Sequence, residues 1–122
     1  MRPHLRRVTR QDGRIRSVDL RTAQQLVDEN KIAKGFNRDV PINICLMQGE
    51  VAEFFDAWRR DRPDVGEELA DVVIYALGLA GILGIDLQTE VKNKIEKNAR
   101  RRYEPGLNGT LVKSDEPAEG TC

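Results

Sequence analysis

The sequence predicts an all-α protein, a four-helix bundle in which copies of the chain assemble around the third helix. Two observations predict this class. Apolar residues recur at steps of three and four along four segments, as they do on one face of a helix. No segment shows the alternation of apolar and polar residues that is typical of a half-buried strand. With 122 residues, the chain is long enough for one domain with its own core.

The first two helices are indicated by their termini and their apolar residues. Ser17 is a suitable N-cap for the first helix, and Gly35 ends it. Asp39 and Pro41 open the second helix, because proline suits the first helical turn. This helix is expected to run to about Arg60. Its apolar face consists of Ile44, Met47, Val51, Phe54, Phe55 and Trp58.

The third helix follows the break at Pro63 and ends at Gly84. Asp64, with Glu67 three residues later, resembles a capping box. The segment Val72–Leu83 is apolar on every side, so the whole helix must be buried. Three other short helices cannot easily enclose it, and we therefore expect a homo-oligomer centred on this helix. The alternative is a fully internal helix in a monomer.

The fourth helix begins after Asp86 and is expected to end at Pro105 and Gly106. The residues before the first helix are rich in arginine, and those after the fourth are rich in Gly, Ser, Asp, Glu and Pro. The expected organisation is a basic, poorly ordered leader over residues 1–16, a helical domain over 17–105 and a disordered tail over 106–122.

The composition limits the cellular location and the binding partners that can be expected. The formal net charge is +0, which gives no reason to expect a nucleic-acid or membrane partner. Cys45 and Cys122 lie far apart and form neither a disulfide framework nor a zinc motif. The longest apolar stretch is about half of what a bilayer requires, and the N-terminus has no apolar signal segment. These features predict a cytoplasmic protein.

Two pairs of carboxylates occur on consecutive helices. Glu50 and Glu53 lie one turn apart on the second helix, and Glu68 and Asp71 lie one turn apart on the third. Both pairs border an apolar stripe, so they point towards a crevice between helices if the two stripes face each other. Four converging carboxylates repel one another unless a cation is present, and oxygen ligands suit Mg²⁺. The alternative is that each pair lies on a solvated helix face.

A basic and polar group follows on the fourth helix. Lys94 and Asn98 are four residues apart and share a face at the border of the apolar stripe. Beside a metal site they could hold phosphate oxygens, and Arg101 could add a planar guanidinium fork. The alternative is that these residues form a basic helix C-terminus that complements the helix dipole.

Several other site chemistries are excluded by the sequence. A di-iron bundle requires Glu-x-x-His pairs, and the single histidine, His4, lies outside the helices. Nucleophilic catalysis by a Cys/His or Ser/His pair lacks its histidine for the same reason. No glycine-rich phosphate loop is present, because the glycines at 78, 81 and 84 fall in or at the end of a helix.

Four motifs occur in order along the chain, and together they resemble a known family. The motifs are Gly49–Glu53, Glu67–Tyr75, Gly84–Leu87 and Lys94–Arg101. Their sequence and order resemble the MazG-like, all-α nucleoside triphosphate pyrophosphohydrolases, and in particular the small single-domain branch that includes the dCTP pyrophosphatases. The resemblance covers most of the predicted helical domain and implies a four-helix MazG-like bundle.

The resemblance implies an activity and its cofactor. Members of the family hydrolyse (d)NTPs between the α and β phosphorus atoms, giving a nucleoside monophosphate and pyrophosphate, usually to sanitise nucleotide pools. The cofactor is Mg²⁺, with Mn²⁺ as an alternative ion. Members are dimers or dimers of dimers built around the third helix.

The resemblance also assigns roles residue by residue. Metal ligands correspond to Glu50, Glu53, Glu68 and Asp71, and Glu53 is our candidate for the catalytic base. Substrate contacts correspond to Lys94, Asn98, Tyr75 and Arg101. The chain departs from the family at Gly49, where many members have an acid, and in the spacing of Arg101 and Tyr103.

Two other functions stay open. The same bundle could be a non-catalytic, oligomeric protein that binds a nucleotide or a partner, and Gly49 would favour this reading. The chain could also be a phosphoribosyl-ATP pyrophosphohydrolase, although its motifs match that enzyme less well. In the favoured reading the base lies against the first two helices, where Phe36, Phe54 or Trp58 could stack on it.

Overall fold

The computed structural model describes residues 14–115, and helices dominate this range as the sequence predicts. The elements are α1 (Leu20–Ala33), α2 (Val40–Arg59), α3 (Val65–Leu83), α4 (Leu87–Arg100), β1 (Arg102–Pro105) and β2 (Leu111–Asp115). The chain divides into two compact units after Gln88. The first unit holds α1, α2, α3 and the start of α4, and the second holds the rest of α4 and the two strands.

Aspartates begin the first two helices. Asp19 is the N-cap of α1, where its Oδ1 accepts a hydrogen bond of 2.7 Å from the Thr22 N–H. The predicted cap at Ser17 is therefore two residues early. Asp39 caps α2 as predicted, and its carboxylate accepts from the Ile42 N–H at 3.1 Å. Asp64 precedes α3 but makes no side-chain cap hydrogen bond, so the expected capping box is not formed.

The first three helices end in the same way. Gly35, Asp61 and Gly84 lie in the left-handed region, with φ angles of 73°, 53° and 68°. In each case the next N–H along the chain donates back to the last helical turn at 2.9 Å, which satisfies a carbonyl that the helix leaves unpaired. The predicted ends of the first and third helices are thus confirmed.

Helix α3 packs against both α1 and α2 in the first unit. The fully buried apolar residues are few and mostly small: Ala57 on α2 with Leu77 and Ala80 on α3. Asn43, which is also buried, donates from its amide to the backbone carbonyls of Asn37 at 2.9 Å and Asp39 at 2.7 Å. These hydrogen bonds fix the loop that leads into α2.

Helix α3 is only partly covered by the residues that the structure describes. Leu69 and Val73 are 47% and 46% exposed, although both are large and apolar. On α2, Phe55 and Trp58 are 56% and 64% exposed, and their rings pack in a tilted arrangement with centroids 6.0 Å apart. The sequence predicts that three short helices cannot cover α3. The exposed side chains on this helix agree with that prediction.

Two strands that the sequence analysis did not predict follow the fourth helix. Helix α4 ends at Arg100 rather than at Pro105, and β1 begins two residues later. β1 pairs antiparallel with β2, with Tyr103 opposite Lys113 and Pro105 opposite Leu111. Residues 111–115, which lie in the tail expected to be disordered, form β2. Residues 1–13 of the predicted leader and 116–122 of the predicted tail lie outside the described range.

The longest helix in the described range, residues 14–115, is α2 (Val40–Arg59). No single helix in this range is long and apolar enough to cross a bilayer. Helices α3 and α4 reach the length and apolarity of a membrane span only when they are taken together.

Candidate metal centre

Packing of α3 against α2 brings three of the predicted carboxylates together. Glu50 and Glu53 lie one turn apart on α2, and Glu68 lies in the first turns of α3. Each offers one oxygen such that all three oxygens lie within 4.8 Å of one another. The predicted convergence of acidic side chains from two helices is therefore present. We refer to Glu50, Glu53 and Glu68 as the carboxylate cluster.

Two oxygens of the cluster are buried without a hydrogen-bond partner. These atoms are Oε2 of Glu50 and Oε2 of Glu68. A buried carboxylate oxygen normally accepts a hydrogen bond or binds a cation, because losing its water without replacement is costly. Two such atoms in one cluster indicate a site that a positively charged ligand completes.

Burial and mutual repulsion disfavour the charged form of Glu50. The pKa of Glu50 is raised, first by burial and then by the negative charges of Glu53 and Asp71. A hydrogen bond with Glu53 and the charge of Glu68 act in the same direction. A divalent cation would reverse this situation, since it favours the ionised form of every carboxylate near it.

The pKa of Glu68 is shifted in the same direction as that of Glu50. Its pKa is raised mainly by burial, with further contributions from the charges of Glu53, Asp64 and Asp71. Arg62 opposes this shift. Arg62 also forms an ion pair with the Asp64 carboxylate in the turn before α3. Its guanidinium therefore lies close to the cluster but is paired with a carboxylate outside it.

Asp71, the fourth predicted ligand, lies one turn beyond Glu68 on α3. It is not in the group of three oxygens, yet its negative charge raises the pKa of both Glu50 and Glu68. Its charge thus acts on the same region. Tyr75 follows one turn later, and the Lys31 ammonium lies 4.0 Å from the centre of its ring.

The remaining predicted substrate residues lie on α4, in the second unit. Within that unit the Arg101 guanidinium donates to Oδ1 of Asn98 at 3.3 Å, and Lys94 precedes Asn98 by one turn. Their approach to the carboxylate cluster stays a prediction that rests on the family resemblance.

An open cavity of about 460 Å³ lies directly beside the cluster. Glu53, Glu68 and Arg62 contribute to its wall, together with Ala52 and Asp56. Asp56 is held by Arg59 at 2.8 Å and Arg60 at 3.0 Å, and its pKa is lowered chiefly by the hydrogen bond from Arg59. The cavity therefore gives a charged ligand access to the carboxylates.

Arg62 is the residue of this cavity that the sequence analysis missed. It lies in the loop between α2 and α3, where it follows Arg59 and Arg60 and does not stand out as a site residue. Its position just before the acidic start of α3 was the available signal. Its guanidinium lines the cavity and is placed to pair with an anion that enters it.

Comparison with known proteins identifies the family. The model of the MazG-like family matches residues 45–108, which is more than half of the chain. The chain belongs to the MazG-like family. The matched range contains every predicted metal ligand and every predicted substrate contact. No curated protein shows a significant match to the sequence.

A solved structure of similar fold supports the architecture. It is the MazG-like pyrophosphohydrolase of cyanophage S-2L, bound to dGDP and three catalytic Mn²⁺ ions per active site. The match has a TM-score of 0.67 and 23% sequence identity, and covers 81% of this chain and 100% of the cyanophage chain. The predicted MazG-like, all-α architecture is confirmed, apart from the two strands described above.

Proposed function

We propose that this MazG-like protein is a metal-dependent nucleoside triphosphate pyrophosphohydrolase. It cleaves (d)NTPs between the α and β phosphorus atoms and releases a nucleoside monophosphate and pyrophosphate. The observation that carries the proposal is the carboxylate cluster, with three oxygens within 4.8 Å and two buried oxygens that lack a partner. The cyanophage protein of similar fold, with its bound nucleotide and Mn²⁺, supports this reading. The biological role would be removal of unwanted nucleotides from the pool.

The cluster fits a hard divalent cation, Mg²⁺ or Mn²⁺. Its donors are all carboxylate oxygens, which these ions prefer. We assign Glu50, Glu53, Glu68 and Asp71 as the residues that hold the metal. When bound, such a cation neutralises phosphate charge and makes a nearby water easier to deprotonate.

The side chains divide the remaining work. Glu53 is exposed and lines the cavity, so it is placed to accept the proton of the attacking water at a carboxylate oxygen. Lys94, Asn98 and Arg101 would bind the phosphates through N–H donors. Tyr75, on the same face of α3 as Asp71, would contact the substrate beyond the phosphates.

Product analysis with a matched pair of variants tests the activity. The purified protein is incubated with each NTP and dNTP in Mg²⁺, and the products are resolved by ion-exchange chromatography. We expect monophosphate and pyrophosphate. Glu53→Gln should lower kcat by about 100-fold or more, because it removes both a metal ligand and the proton acceptor. Glu67→Gln, an exposed acid outside the cluster, should retain full activity.

Other products would contradict the proposal. Release of diphosphate and phosphate would refute cleavage at the α–β bond. Tight nucleotide binding without turnover would favour the non-catalytic alternative, and turnover confined to phosphoribosyl-ATP would favour the histidine-pathway alternative.

We further propose that the chain functions as a homodimer or homotetramer. The support is the exposure of Leu69 and Val73 on α3 and of Phe55 and Trp58 on α2, all near or above 46%. Large apolar side chains on two neighbouring helices are typical of an interface rather than of a monomer surface.

Sedimentation equilibrium checks the association. The native chain should sediment as a dimer or tetramer at micromolar concentration. Val73→Glu should shift it towards the monomer, because an unpaired charge in an apolar interface is costly. Ala33→Glu, which places the same charge at an exposed position on α1, should not. A monomeric native chain would contradict the proposal.

A further inference from the structure

A pocket between α1 and α3 lies apart from the cavity at the carboxylate cluster. Its volume is about 350 Å³, and its apolar wall is formed by Leu26, Val27, Phe36, Ile74 and Tyr75. The polar residues of the wall are Asn30 and Lys31. Most of the lining side chains are thus aliphatic or aromatic, and the Phe36 ring is 53% exposed. Such a wall accepts a flat, weakly polar group such as a heterocyclic ring.

Lys31 provides the ammonium among the described residues that line this pocket. Its Nζ lies 4.0 Å from the centre of the Tyr75 ring and 5.7 Å from that of Phe36. Gly78 permits this position, because a Cβ there would come within 3.2 Å of Nζ. Burial lowers the pKa of Lys31, against the opposing charge of Glu50.

The N–H donors of Lys31 are available to a ligand. Within residues 14–115 its ammonium has no hydrogen-bond acceptor or ion-pair partner, and its contacts are with aromatic rings and with Gly78. An ammonium that has lost part of its water gains strongly from an acceptor in the same pocket.

The pocket is placed to receive the base of a nucleotide whose phosphates lie at the carboxylate cluster. Tyr75 lies one turn beyond Asp71 and two turns beyond Glu68 on one face of α3. At about 1.5 Å of rise per residue, Glu68 and Tyr75 are about 10 Å apart along the helix. A nucleotide spans a comparable distance between its outer phosphates and its base.

We propose that Lys31 is a specificity-determining residue, which donates a hydrogen bond to a carbonyl oxygen of the nucleobase. The substrates would therefore be nucleotides whose base carries such an oxygen, and adenine nucleotides would be disfavoured. Adenine presents an amino group, itself a donor, where hypoxanthine presents a carbonyl. This inference rests on the proposed function, since it assumes that nucleoside triphosphates are the substrates.

The test compares dITP with dATP, which have the same sugar and phosphates and differ at position 6 of the purine and its adjoining N–H. We expect kcat/KM for dITP to exceed that for dATP by about 10-fold or more, as for a hydrogen bond to a charged donor. Lys31→Met has a similar length and no donor, so it should bring the ratio close to one, mainly by lowering the value for dITP. Lys34→Met, at an exposed lysine three residues further on, should leave the ratio unchanged.

The outcomes separate the two proposals. Absence of turnover for every nucleotide would overturn the proposed function. In that case equilibrium dialysis of dIMP and dAMP against the native chain and Lys31→Met gives the same ratio without catalysis. A native ratio near one, or an equal fall for both ligands in the variant, would overturn the role of Lys31. Lys31→Arg, which keeps donors, should keep the preference and guards against a variant that fails to fold.

Discussion

Helix α3 has two contrasting flanks. Towards α2 it carries Glu68, whose Oε2 is buried without a partner and whose pKa is raised by burial. Towards α1 it carries Gly81, against which the Asp28 carboxylate packs closely. That carboxylate accepts a hydrogen bond of 3.0 Å from Arg38, so its charge is paired. Acidic groups thus occur on both flanks, but only the α2 flank leaves them unsatisfied.

The difference shows how a ligand site can be told from structural packing. A paired carboxylate beside a glycine makes the helices fit together. A carboxylate cluster in which two buried oxygens lack a partner opposes folding until a cation binds, and such arrangements occur where function requires them. Substitutions on the two flanks should therefore respond differently to metal.

The largest effect on stability is expected at the α1 flank. In Gly81→Ala, the new Cβ would lie 2.8 Å from Oδ1 of Asp28 and 3.3 Å from its Cβ. Because the whole Asp28 side chain must move and its pair with Arg38 is disturbed, we expect a loss of about 1–3 kcal/mol. Urea unfolding at fixed protein concentration measures the loss, which should be the same with and without Mg²⁺.

Gly49→Ala is the matched control. Gly49 also lies inside a helix, but a Cβ there would meet nothing within 4 Å. Alanine should therefore raise the stability by about 0.5–1 kcal/mol through its higher helix propensity. Equal effects of the two substitutions would show that close packing against Asp28 does not distinguish the α1 flank.

Local patterns made much of the fold and the site predictable. The spacing of Glu50 and Glu53 on one helix, and of Glu68 on the next, follows from helical periodicity alone. Their convergence needed only that the two helices pack side by side, which their apolar stripes favour. The ends at Gly35 and Gly84 followed from the ease with which glycine adopts positive φ.

Features that depend on distant contacts were not predictable in this way. Lys31 is one of several charged residues on α1, and its place over the Tyr75 ring depends on Gly78, 47 positions away. The hairpin after α4 was missed although Asn108-Gly109 is a turn signal between two short apolar segments. The first strand, β1, was not predicted because arginines and Pro105 are not typical of a strand.

A smaller effect, with the opposite dependence on metal, is expected at the α2 flank. The pKa of Glu68 is raised in the folded chain, so the folded state binds its proton more tightly than the unfolded state. In EDTA, the contribution of Glu68 to stability is therefore present at low pH and lost as the pH rises through its folded pKa. Glu53 on α2, Asp71 on α3 and Asp64 with Arg62 in the preceding turn are the charged groups that act on it.

Glu68→Gln replaces the ionisable carboxyl with a neutral amide, so the variant does not lose stability as the pH rises. In EDTA at neutral pH the variant should melt at a higher temperature than the native chain. The difference should shrink as the pH falls through the raised pKa of Glu68, and it should be absent below about 4, where an unperturbed glutamate is protonated as well. Excess Mg²⁺ should reverse the order, because the native cluster gains the binding free energy of the ion and the variant gains less. Glu67→Gln should follow the native chain throughout. If the native chain is the more stable one in EDTA at neutral pH, then Glu68 is satisfied without a cation, and the contrast between the two flanks of α3 is lost.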